Sequence, residues 1–70
     1  MQLLEDLIED LSADVFVEEQ RSGSTELAEA IARMIGDSST VMEEAFQTAM
    51  RYRRADARAR ALLAQRRTPG

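Results

Sequence analysis

The residues able to do chemistry in this chain are carboxylates and arginines. Glu5 with Glu9 and Asp6 with Asp10 stand four apart, so each pair shares one helix face, as the acids of a carboxylate-bridged metal pair do. Such a site also needs a Glu-x-x-His motif, and the chain has no His. No Asp-rich loop around a Gly points to calcium either. These acids therefore read as a solvated face, with no metal and no cofactor expected. The arginines form a second constellation. Arg51, Arg54 and Arg58, at i, i+3 and i+7, make one ridge and are the candidate phosphate-binding residues. Arg53 and Arg60 lie seven apart on another ridge, with Tyr52 beside them. A basic helix with an aromatic can lie along a nucleic-acid backbone. All nine basic residues are Arg. A GC-rich genome produces that bias, and Arg also forks onto carboxylates and phosphates better than Lys.

Catalysis is not expected. With no His, Cys or Lys, the chain lacks the commonest general base, the thiolate nucleophile and the Schiff-base amine. A glycosidase-like carboxylate pair needs a sculpted cleft, which seventy residues of short helices hardly offer. Ser38-Ser39-Thr40 has the makings of an anion or phosphorylation site at a helix start, but capping accounts for it more simply. Gly23 and Gly36 are isolated, so there is no phosphate-cradling loop.

Acids and arginines are segregated along the chain. Residues 1–50 hold 12 acidic groups against Arg21 and Arg33, a net −10; residues 51–70 hold seven Arg against Asp56, a net +6. Either the basic segment neutralises the acidic one or it presents a charged surface to something else. The elements that carry these groups follow from hydrophobic spacing. Leu3, Leu4, Leu7, Ile8, Leu11 and Val15 recur at threes and fours among acids, which predicts a helix over about 2–19. Val15-Phe16-Val17 is its weakest stretch, because β-branched and aromatic residues lower helix propensity. Gly23 suits a left-handed stop, with Ser24 or Thr25 as the next cap. Leu27, Ala30 or Ile31, Met34 and Ile35 predict a second helix over about 25–35, ended by Gly36.

Thr40-Val41-Met42-Glu43 fits a capping box, so the third helix is expected over about 40–66. That length is about 39 Å. Its first half has a stripe at Met42, Ala45, Phe46, Ala49, Met50 and Tyr52 or Arg53, and its second half thins to Ala55, Ala59, Leu62 and Leu63 among arginines. Thr68-Pro69-Gly70 reads as a frayed end. The expected fold is all-α: one domain spanning 1–70, a small three-helix bundle with a long last helix, or alternatively a two-helix hairpin.

Size then bears on function. A core of seventy residues supplies only ~3 to 5 kcal/mol, and without cysteines or histidines the remaining source of stability is association. The ridge Ala55, Ala59, Leu62 and Leu63 outruns the chain available to cover it. Met50, Ala55, Arg58, Ala59, Leu62 and Leu63 are therefore the candidate partner-binding residues, and the partner is a protein or a second copy of the chain. The expected role is a non-catalytic helical interaction module, of the adaptor, regulator or secretion-chaperone type, that self-associates or clamps a partner helix. Two alternatives are a nucleic-acid-associated protein led by the arginine helix and an acidic decoy whose first helix mimics nucleic-acid charge. No apolar run suits a membrane span, no small-molecule substrate is expected, and the acidic N-terminus is unlike a signal peptide, giving a cytoplasmic expectation.

Overall fold

The computed structural model describes residues 2–67, so the expectation for Thr68-Pro69-Gly70 lies outside the described residues. Three helices follow one another: α1 (Gln2–Ser22), α2 (Glu26–Ser38) and α3 (Thr40–Arg67). There is no strand among the described residues. Val15-Phe16-Val17 stays helical because Val15 is buried and Phe16 packs against the core, and this burial outweighs a few tenths of a kcal/mol of propensity.

The helix ends correct the sequence reading in three places. α1 continues to Ser22, stopping where Gly23 takes φ +73° and its N–H donates to the Glu19 carbonyl at 2.9 Å. α2 passes through Gly36 and ends at Ser38. The expected Thr40–Glu43 capping box is replaced by Ser39, whose extended backbone (φ −159°, ψ 114°) closes α2 and opens α3 at once. Its N–H donates to the Ile35 carbonyl at 2.9 Å, and its Oγ accepts the Met42 N–H at 3.1 Å. Thr40 is thus the first residue of α3 rather than its cap. At the other junction the Ser24 Oγ accepts the Glu26 N–H at 3.1 Å, while Thr25 donates its hydroxyl to Glu29 at 2.8 Å.

The core is Ile8 and Val15 of α1, Ala28 and Ala32 of α2, and Phe46 and Met50 of α3. Phe46 and Met50 are each 1% exposed and fill the centre. Leu4, Leu11, Ile31, Ile35, Met42, Ala45 and Ala49 surround it half-buried. Small residues on α2 let α3 come close. Neighbouring residues give the directions: Glu9 lies beside Ala49 and Arg53, and Gln20 beside Ala57 and Ala61, so α1 and α3 run in parallel. Gly36 lies against Glu43, and Ala28 against Met50, so α2 runs antiparallel to both.

α3 is about 42 Å long, against about 20 Å for α2. Residues 58–67 are all exposed, and beyond Ala61, which lies beside Gln20 of α1, the helix extends past the packed part of the bundle. The molecule measures 51 × 26 × 14 Å. Its radius of gyration, 14.2 Å, exceeds the ~11 Å of a compact chain of this length.

The two glycines that read alike in the sequence predict opposite outcomes. At Gly23 the positive φ strains any L side chain, so Gly23→Ala should lower stability by about 1 kcal/mol. At Gly36 the atoms nearest to an added Cβ are the carboxylate end of the Glu43 side chain, which can swing away. Gly36→Ala should therefore raise stability by about 0.5–1 kcal/mol through helix propensity. Urea denaturation of the two variants reads the signs.

Candidate interaction surface

Polar contacts between α1 and α3 determine which arginines remain free. Ser12 is completely buried, and its Oγ accepts the Arg53 Nε at 2.9 Å while donating to the Glu9 carbonyl at 3.3 Å. The Arg53 Nη2 also donates to the Glu9 carbonyl at 3.1 Å and to the Glu9 carboxylate at 2.9 Å. A serine is short enough to admit the guanidinium stem between the helices. One residue on, Arg54 forks onto Glu19 with two bonds of 2.8 Å. The Glu19 side chain is 8% exposed and that of Arg54 31%, so this pair is much drier than an ordinary surface bridge.

The Arg54 hydrogen bonds hold the Glu19 carboxyl below its ordinary range, outweighing the opposing cost of desolvation. Glu19 in turn holds the Arg54 guanidinium above its ordinary value. Elsewhere the pairs are local. Arg21 binds Glu18 within α1, and Arg60 donates to Asp56 at 2.8 Å one turn earlier on α3.

The candidate residues separate accordingly. Of the phosphate ridge, Arg54 is held by Glu19, which leaves Arg51 and Arg58 exposed on either side of it. Met50 is a core residue and must be removed from the partner-binding set. Its wheel position points it at Ala28 and Phe46, whereas Ala55, Ala59 and Leu62 lie on the far side of the helix. Ala55, Arg58, Ala59, Leu62 and Leu63 are all exposed, Leu62 at 59% and Leu63 at 47%.

Sequence reasoning missed three things. Ser12 and Glu19 sit at core positions of α1 although both are polar, and only their pairing with Arg53 and Arg54 explains that. The outer face of α3 also begins well before Ala55. Val41 and Tyr52, 63% and 72% exposed, bracket a shallow trough lined by Glu44, Ala45, Thr48 and Ala49. Its signal was present in the spacing 41, 45, 48 and 52, which continues to 55, 59 and 62.

Among the described residues, no group of three or more metal-ligating side chains comes together, and no helix is long and apolar enough to cross a membrane. Fold and surface define a class: an all-α three-helix bundle whose last helix is exposed along one face and beyond one end. No protein-family model, curated protein or solved structure matches the chain.

The Glu19–Arg54 pair predicts an acid-sensitive step in stability. Because the folded carboxyl titrates below the unfolded value of ~4.3, the pair stabilises fully above that pH and is lost as pH falls through the folded value. Glu19→Gln should cost about 1–3 kcal/mol at neutral pH by leaving Arg54 without its carboxylate. It should also flatten the acid limb of a stability profile measured by urea denaturation from neutral pH to pH ~2, the span over which paired carboxylates protonate.

Proposed function

We propose that the chain is a non-catalytic helical interaction module whose contact surface is the outer face and projecting end of α3. The observation that carries this reading is the exposure of every residue from Arg58 to Arg67 while the segment remains helical beyond the bundle. An isolated helical extension has little stability of its own and is expected where it packs on something. The chain exposes 5447 Å², about 1,100 Å² more than a compact protein of 7.8 kDa. Leu62 and Leu63 lie at the far end of that surface and Val41 at its start, so the apolar residues run along a line suited to a helix.

A nucleic-acid role draws less support. Three arginines of α3, Arg53, Arg54 and Arg60, are committed to carboxylates, and the acidic α1 lies alongside. Arg66 and Arg67 stay exposed at the end of α3, and of the phosphate ridge Arg51 and Arg58 remain for it. Replacing both by Gln should leave any affinity for duplex DNA or RNA at low salt unchanged in an electrophoretic shift assay; a salt-dependent affinity lost in that variant would favour the nucleic-acid reading instead.

The interaction reading is tested by a photo-crosslinking residue placed at Ala59 of the full chain in its native cells. Discrete protein adducts are expected from position 59, and they should vanish when Tyr52, on the same outer face, is changed to Glu. Absence of adducts from Ala59 would overturn the reading.

A further inference from the structure

The outer face of α3 carries a repeat that the bundle touches at Ala45, half-buried against the core, and otherwise leaves largely open. Val41, Ala45, Thr48, Tyr52, Ala55, Ala59 and Leu62 follow one another at alternating intervals of four and three residues. This alternation keeps one seam facing a second helix over a long distance. Here it spans about 32 Å. Phe46 and Met50 are buried on the opposite side, so the seam is additional to the core stripe and not an extension of it. One flank is charged: Glu44, Arg51 and Arg58 lie at heptad intervals along one edge.

We propose that this face is a self-association seam on which α3 of a second copy lies antiparallel, with Glu44 of each copy meeting Arg58 of the other. The inference rests on α3 being the interaction surface and adds the identity of its occupant. Three features select a second copy in this orientation.

The first is fit. In the register that joins Glu44 to Arg58, Val41 layers against Ala59 of the other copy, Ala45 against Ala55, and Thr48 against Tyr52, each layer occurring twice. Val41 and Tyr52 thus each meet a smaller residue, and the Ala45–Ala55 layer lets the two backbones come close. The trough floored by Ala45, Thr48 and Ala49 becomes the hole that receives Tyr52 of the second copy.

The second is charge. The antiparallel seam makes two opposite-charge pairs along its edge and one like-charge pair, Arg51 with its own copy at the two-fold axis. The neighbouring register, which would bring Leu62 into the seam, sets Arg51 against Arg58 twice. On the scale of the whole molecule, Asp6, Asp37, Glu43 and Glu44 lie at the end where α3 begins, while at the other end Arg58, Arg66 and Arg67 stand against Glu18, Glu26 and Glu29 of α1 and α2, with Arg66 and Arg67 extending past them. An antiparallel pair places each positive end beside a negative one, whereas a parallel pair sets like ends together.

The third is area. A specific interface removes ~800 Å² per partner. The excess surface of this chain, about 1,100 Å² by comparison with a compact protein of its mass, is enough to supply that.

Sedimentation equilibrium of the full chain across the micromolar range provides the test, with Tyr52 as an intrinsic fluorescence reporter, since it is the single Tyr and there is no Trp. A dimer is expected. Glu44→Arg or Arg58→Glu alone should weaken it about tenfold, as both edge pairs turn repulsive. An equimolar mixture of the two variants should recover the affinity of the original chain, because both cross-pairs are then again of opposite charge. Tyr52→Glu should abolish the dimer with helicity by circular dichroism retained, since this side chain lies outside the bundle core. A monomer throughout the range, a dimer indifferent to Tyr52→Glu, or single variants that mixing fails to rescue would each overturn the antiparallel seam. A monomer that still gives heavier heterologous adducts from Ala59 removes the second copy alone. A monomer with no adducts removes the interaction reading as well.

Discussion

The burial of Phe46 and Met50 between α1 and α2 is the contact on which the rest of the molecule depends. Both belong to α3, and α1 and α2 offer them mostly Ile8, Val15, Ala28 and Ala32 in return. Small partners on α2 draw its axis close to α3, and the single-residue link at Ser39 leaves α2 little freedom to lie elsewhere. Since the buried set stops at Met50 and α3 last meets α1 near Gln20, beside Ala57 and Ala61, the remainder of α3 is positioned by helical continuity. The exposed end is thus a direct outcome of where the core stops.

Polar groups then determine how the parallel pair α1 and α3 is aligned. Two adjacent residues of α3, Arg53 and Arg54, reach two points of α1 separated by about two turns, Ser12 with Glu9 and then Glu19. Diverging guanidinium forks of this kind resist sliding in either direction. Such contacts fix the register of the pair more than its strength, because ion pairs contribute modestly beside apolar burial. The same contacts consume arginines that the composition alone leaves available for phosphates.

Much of the fold was legible in the sequence because hydrophobic spacing reports helices directly. The three helices and their approximate bounds follow from Ile8 and Val15, from Ile31 and Ile35, and from Phe46 and Met50. The errors came from residues with two compatible roles. Gly36 reads as a stop, yet it is interior to α2, where no left-handed φ is required. Thr40 reads as a cap, but Ser39 one residue earlier satisfies the same donors. Met50 reads as interface because methionine suits both cores and contacts, and only the helix phase separates the two. Arg53, Ser12 and Glu19 were opaque for a different reason: their partners are 35 to 44 residues away in sequence, and no local pattern announces them.

Those separations also bear on how the chain acquires its shape during synthesis. α1 and α2 emerge first, and each can form transient helix from its own spacing. Neither carries a large, fully buried apolar side chain to close a core with the other. The hairpin they make must wait for Phe46 and Met50, and its alignment waits further, for Arg53 and Arg54. Until the ribosome has passed those positions, Ile8 and Val15 have no stable place to go. The chain is therefore expected to fold late and as a unit, with the final helix serving as the template on which the two earlier ones settle.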